Sequence, residues 1–149
     1  MMPQQQEVYM SDDTVTTGSC LCGNVRYEVT GDPMFAAHCC CTDCQKASGA
    51  DHITLAFYQE TQVAITGELA EYSVTADSGN TNTRIFCPKC GSRLFGRNSA
   101  REGVIGVQVG TLDNPKNIKP AAVVYTRNRR DWDVLDENLA AFEGAPPPG

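Results

Sequence analysis

"TRIFCPKCGSRLFG", residues 83–96, reads as a strand that runs straight into a cysteine pair and a second strand that leaves it. Cys87-Pro-Lys-Cys90-Gly91 is a C-x-x-C-G knuckle. Such a bend lets two sulfurs face one ion at about 2.3 Å each. Its backbone amides can donate to the thiolates, and the glycine permits the tight turn. Outward from this hairpin the patterning is mostly of period two. "NVRYEV" puts Val25, Tyr27 and Val29 on one face and Arg26 and Glu28 on the other. "HITLAFY", "TQVAIT" and "AEYSVT" read as further strands, the last two separated by a turn at Gly67-Glu68. "GVIGVQVG" and "AAVVYT" follow, joined by a loop containing "LDNPKN". A short helix is expected from Thr42, with Asp43 in its first turn and Gly49 at its end. The C-terminal "DVLDENLAAF", residues 133–142, is the one other helical candidate. The expectation is a mostly β, single-domain protein interrupted by cysteine knuckles, spanning residues 16–143. Disordered segments are expected at 1–15 and in the proline-rich 144–149.

The chain has 149 residues, 41% of them hydrophobic and 20% charged, which suits one globular domain with a real core. Its formal net charge of -6 repels phosphate backbones, so no nucleic-acid partner is expected. The one basic cluster, "TRNRRDW", holds Arg127, Arg129 and Arg130 but runs into Asp131 and Asp133, and reads as a solvated turn. No apolar run approaches the roughly 18 residues that cross a membrane, and the N-terminus has no apolar signal region. A cytoplasmic location is expected. Eight cysteines in a reducing compartment point to metal sites before disulfides.

The cysteines fall into three groups. Cys20-Leu-Cys22 is a C-x-C, Cys87–Cys90 the C-x-x-C already described, and "HCCCTDCQKASGA" (residues 38–50) packs Cys39, Cys40, Cys41 and Cys44 together. A structural zinc site takes four sulfurs or histidines, and Cys20, Cys22, Cys87 and Cys90 supply four. Cys39, Cys41 and Cys44 are spaced to converge on a second ion, while Cys40 in an extended stretch points the other way. Three protein ligands leave a tetrahedral position open, as in catalytic zinc sites. Two alternatives stand beside this count: His38 or Cys40 closes the second site, or the thiols form redox pairs. The redox reading calls for a thioredoxin-like βαβ context, which the chain lacks.

"GSCLCGNVRYEV", "HCCCTDCQKASGA", "GELAEYSV" and "RIFCPKCGSRLF" together resemble, in order and spacing, the glutathione-dependent formaldehyde-activating enzymes, a family that also includes a centromere-associated protein. The resemblance covers roughly residues 18–135. It implies an Mss4-like β fold with two zinc ions. Cys20, Cys22, Cys87 and Cys90 would hold the structural ion, and Cys39, Cys41 and Cys44 the catalytic one. Family members more often carry a non-thiol residue where this chain has Cys40. The implied activity is that of a carbon–sulfur lyase condensing glutathione with formaldehyde to S-(hydroxymethyl)glutathione, in either direction. The implied partners are therefore a small thiol and a small carbonyl compound. His38 is the nearest candidate in sequence for a general acid. Lys46, Arg84, Arg93 and Arg97 are the cationic residues near the cysteine motifs that could meet glutathione's carboxylates. The alternative class is a non-catalytic zinc module for protein interaction or metal handling. Seven bound thiolates and two zinc ions would take the net charge to about -9, against nucleic acid in either case.

Overall fold

The period-two segments become strands in a computed structural model that describes residues 14–76 and 78–146. In chain order they are β1 (Val15–Ser19), β2 (Arg26–Thr30), β3 (Phe35–Cys39), β4 (Ile53–Gln59), β5 (Val63–Thr66) and β6 (Ala70–Thr75). Then come β7 (Thr81–Phe86), β8 (Arg93–Asn98), β9 (Val104–Gln108), β10 (Ala122–Val124) and β11 (Ala140–Ala141). One helix, α1 (Thr42–Ser48), follows β3. It begins at Cys41, whose sulfur accepts from the Cys44 amide, and ends at Gly49, whose φ of 76° is the left-handed conformation a side chain would oppose. The expected helix thus forms, and the fold is mostly β.

Two sheets result. β1, β2 and β5 form a small antiparallel sheet, and the other eight strands a larger one in the order β11-β10-β3-β4-β9-β8-β7-β6. In β2 the alternation is complete: Tyr27 and Val29 are buried while Arg26, Glu28 and Thr30 are exposed. These residues and Val25 pack on Ala56, Tyr58, Phe95, Ile105 and Val107 of the large sheet. Tyr27 meets Phe95 edge to face at 4.9 Å, and its hydroxyl shares a 2.6 Å hydrogen bond with Thr111. Burying an aromatic or branched aliphatic side chain of this kind contributes roughly 1.5–3 kcal/mol. The sandwich therefore rests on the face of the large sheet that carries Ala56 and Val107.

Residues 133–142 are not helical. Ala140–Ala141 pairs parallel with β10, and the Phe142 amide donates to Val123 O at 2.9 Å. β10 lies parallel to β3 on its other side, so its outer backbone groups need a partner, and this segment supplies one. The two ends read as disordered fall largely on residues 1–13 and 147–149, outside the described residues. At their inner margins Val15 opens β1, and Gly144 accepts a hydrogen bond from the Tyr125 amide at 3.0 Å. Among the described residues no helix is long and apolar enough to cross a membrane.

Candidate metal centres

Cys20 and Cys22 lie in the turn between β1 and β2, and Cys87 and Cys90 in the turn between β7 and β8. Both turns fold in the same manner. In the first, the Cys20 amide donates to Val25 O at 3.0 Å and the Val25 amide returns a bond to Cys20 Sγ at 3.2 Å. In the second, the Cys87 amide donates to Ser92 O at 3.0 Å, and the amides of Lys89 and Cys90 donate to Cys87 Sγ at 3.3 and 3.5 Å. Gly91, at φ 79°, makes that turn possible. The turns are sewn together by the Leu21 amide, which donates to Ser92 Oγ at 2.9 Å. Ser92 carries no signal in the sequence beyond its place after the C-x-x-C-G.

The four sulfurs lie within 4.8 Å of one another. Cys20 and Cys22 are 3.7 Å apart and Cys22 and Cys87 3.8 Å. A tetrahedron with metal–sulfur bonds of about 2.3 Å has edges of roughly 3.8 Å, so this donor set fits a zinc-like ion. The charges are arranged accordingly. Hydrogen bonds from Ser92 and the turn amides bring Cys90 down to about 5. Burial pushes Cys20 up, but the Val25 amide and the Cys22 and Cys87 thiols outweigh it and bring it below its ordinary value. The Asn24 amide favours the Cys22 thiolate, yet burial and the three neighbouring sulfurs carry it to about 11.

The second cluster is local. Cys39 ends β3, Cys41 caps α1 and Cys44 lies in its first turn. Their sulfurs converge within 4.8 Å, with Cys39 and Cys44 at 3.5 Å. No fourth His, Cys, Asp or Glu joins them among the described residues. Hydrogen bonds from the Cys39 and Cys44 thiols and the Cys44 amide, with Arg84 nearby, draw Cys41 down to about 2. The same crowding works against its neighbours. Cys39 is driven far above the ordinary thiol range, chiefly by Cys41. Cys44 is favoured by Cys39 but opposed by Cys41 and burial, and rises to about 12. Without a cation, one negative charge is thus concentrated on Cys41; these sulfurs are a donor set in want of a positive partner.

Cys40 and His38 lie elsewhere. Cys40 is fully buried, and its amide continues the β3–β10 pairing with a 3.0 Å bond to Val124 O. His38 sits one residue from Cys39 on the same strand, so it faces the opposite side of the sheet. Its Nδ1 shares a 2.8 Å hydrogen bond with Thr54 Oγ1, and its ring meets His52 at 5.1 Å. His52 in turn contacts buried Asp133 at 2.7 Å. Of the four cationic candidates, Lys46 is exposed and Arg97 pairs with Glu60 at 3.1 Å. Arg84 Nη2 approaches Cys44 Sγ at 3.7 Å.

The basic stretch after Tyr125 is more than a solvated turn. Arg130 Nε donates to Gln45 Oε1 at 2.9 Å, and Gln45 Nε2 donates to Cys40 O at 2.7 Å and Asn128 O at 2.9 Å. Arg129 donates to Asp133 O at 2.7 Å. Gln45, buried on α1, therefore fixes the cysteine helix to this segment, a role no local pattern announces.

No curated protein matches the chain. A crystal structure of a Rhodobacter sphaeroides protein shares the fold, with a TM-score of 0.52 at 24% identity over 68% of this chain and 93% of that one. Both sulfur clusters, and every strand from β1 to β10, fall inside residues 15–128, the span that matches the glutathione-dependent formaldehyde-activating enzyme family, and the chain belongs to that family.

Proposed function

We propose that this chain is a zinc-dependent carbon–sulfur lyase that joins a small thiol to a small carbonyl compound and cleaves the adduct in reverse. Glutathione and formaldehyde, giving S-(hydroxymethyl)glutathione, are the pair that family membership favours. On this reading Cys20, Cys22, Cys87 and Cys90 hold a structural zinc, and Cys39, Cys41 and Cys44 hold a catalytic one. One observation carries it: three sulfurs converge with no fourth protein ligand among the described residues. A zinc ion bound by three protein ligands supplies Lewis acidity and an open position at which a substrate thiol loses its proton readily.

The chain's own groups would keep negative charge on the sulfurs and position the thiol. The Cys44 amide, 3.2 Å from Cys41 Sγ, and Arg84, 3.7 Å from Cys44 Sγ, both stabilise thiolate. The reaction balances without oxidant or reductant. A sulfur–carbon bond forms, the carbonyl π pair moves onto oxygen, and the thiol's proton ends on that oxygen. Holding thiol and aldehyde together converts an encounter in solution into a step within one complex.

The test is metal analysis with X-ray absorption. Two zinc ions per chain are expected, with the mean sulfur coordination rising toward four when glutathione is added. A fully protein-ligated second site, unchanged by thiol, would make the chain a non-catalytic zinc module instead.

A further inference from the structure

Arg84 and Arg93 stand together beside Cys44, and the way Arg93 comes to be there is unusual. Arg84 on β7 pairs directly with Gly96 on β8, and Ile85 with Phe95, but Phe86 pairs with Arg93. Leu94 is therefore the extra residue of a β-bulge. In a regular strand Arg93, an odd number of positions from Gly96, would face the core side. The bulge turns it to the face that carries Arg84 and Phe86, the kind of re-aiming for which bulges next to sites are known. Its guanidinium accordingly lies 5.5 Å from the centre of the Phe86 ring. Burial and repulsion from Arg84 lower the Arg93 pKa, while Cys44 opposes the shift, so all three groups feel one another.

Among the described residues no carboxylate forms an ion pair with either of these like charges. The ion pairs among the described residues are His52–Asp133 and Arg97–Glu60. Three thiolates around a dication would leave one net negative charge, and Arg84 already approaches that cluster at Cys44 Sγ. Arg93 is a further cation, half-buried against Arg84 in a chain of net charge -6. On the same face the sheet carries no side chain at Gly96. A Cβ built on Gly96 would meet nothing nearer than Thr83 O at 3.6 Å, whereas on the next strand the Phe57 ring closes over Gly106, 3.2 Å from where its Cβ would stand. Gly96 and Gly106 are directly paired, so the open space above Gly96 is bounded by Arg84 on one side and Phe57 on the other.

We propose that Arg93, set beside Arg84 by the β-bulge and facing the open floor at Gly96, is the carboxylate-binding residue that makes this site select an acidic thiol over a neutral one. The inference rests on the thiol-binding reading above and adds the residue and the charge class that decide the substrate. A planar guanidinium matches a carboxylate with two parallel hydrogen bonds, which lysine cannot reproduce.

The experiment is calorimetric titration of the zinc-loaded protein with glutathione, S-methylglutathione and 2-mercaptoethanol. Arg93→Gln is expected to weaken glutathione and S-methylglutathione by about tenfold or more, the scale of one charge-assisted pair, and to leave 2-mercaptoethanol unchanged. Arg93→Lys should recover only part of the loss. Gly96→Val keeps the charges, suits a strand and fills the floor; it should weaken glutathione and spare 2-mercaptoethanol. If Arg93→Gln binds glutathione like the wild type, or loses both thiols equally, the proposal is overturned. If Arg93→Gln loses zinc, Gly96→Val decides alone, and unchanged glutathione binding there overturns it. The thiol-site reading fails separately, when blocking the sulfur in S-methylglutathione costs the wild type no affinity. A wild type that binds none of the three overturns both.

Discussion

The two sulfur clusters differ in what they connect. Cys22 and Cys87, whose sulfurs touch at 3.8 Å, are 65 positions apart; Cys39 and Cys44, at 3.5 Å, are separated by five. The first cluster joins the edge of the small sheet to the β7–β8 hairpin of the large one, and Cys20 and Cys87 are themselves part of the core. The second draws together one strand end and one helical turn. Closing the longer loop removes roughly 2 kcal/mol more chain entropy from the unfolded state than closing the shorter. An ion held by the first cluster would staple the sandwich together, whereas one held by the second would only arrange sulfurs on a fold already made. The ligand counts, four against three, point the same way.

That contrast is most severely tested at Cys87. Cys87→Ser removes a sulfur of the proposed structural site that is also a fully buried core residue, and binding of a structural zinc is worth on the order of 10 kcal/mol of folding free energy in small domains. The expected outcome is an insoluble or molten chain. A soluble Cys87→Ser protein with the wild-type Tm would show that the four-sulfur cluster does not hold the sandwich. Cys44→Ser is the matching change in the other cluster. It should keep the fold, with Tm lowered by a few degrees, while the zinc content falls from two to one and thiol-dependent activity is lost. If Cys44→Ser unfolds as Cys87→Ser does, the clusters do not divide the labour.

What the sequence makes legible follows the same divide between local and distant partners. Knuckles are local: C-x-x-C-G fixes its own turn, and the sulfurs of both clusters are those the spacing picks out. The strands flanking them carry alternation strong enough to read, as in β2, because one face is buried against the other sheet. What could not be read depends on partners distant in sequence. The parallel β3–β10–β11 edge turns a helix-like run at 133–142 into a strand. Gln45 and Ser92 act through backbone groups of other segments, and side chains that cap a neighbour's backbone leave no periodic trace. The bulge at Leu94 is likewise invisible, and with it the reason Arg93 stands apart from Lys46 and Arg97.

Acid sharpens the comparison further, because the clusters hold their protons differently. In the three-sulfur cluster Cys39, driven well above the ordinary thiol range, and Cys44, near 12, hold their protons at neutral pH, and Cys41, near 2, carries the negative charge. Binding a metal there requires all three thiolates, so about two protons leave per ion. Proton release means that affinity rises with pH and falls as the solution is acidified, by roughly two powers of ten per pH unit across the neutral range. In the four-sulfur cluster Cys20 and Cys90 are already lowered, and Cys22, near 11, is the sulfur shown to be raised. Acidification should strip the second site first, since an ion there has one protein sulfur fewer to hold it. Calorimetry of zinc binding in buffers of differing ionisation enthalpy counts the protons directly. A count near zero at the three-sulfur site would contradict the charge arrangement described here.

The smallest effect is expected at Cys40. It lies between two residues of the three-sulfur cluster, yet its sulfur is not among the converging set and its side chain is fully buried. Burial pushes its thiol above the ordinary value, as does Asp133, against a smaller pull from Arg129, so it stays protonated at neutral pH and acts as a small apolar filler. Replacing it by alanine removes one sulfur atom from a packed place and should cost about 1 kcal/mol, at the lower end of core truncations. Cys40→Ala should thus keep two zinc ions and near-normal activity, with Tm down by a few degrees. Cys39→Ala and Cys41→Ala should each lose one zinc at little greater cost in stability. The informative quantity is the ratio of metal loss to stability loss across the three adjacent positions. If Cys40→Ala were the variant that drops to one zinc, the alternation of side chains along Cys39–Cys41 would have to be broken by a turn. The Cys40 amide bond to Val124 O argues against that, because it keeps the backbone in register with β10 through the middle of the triplet.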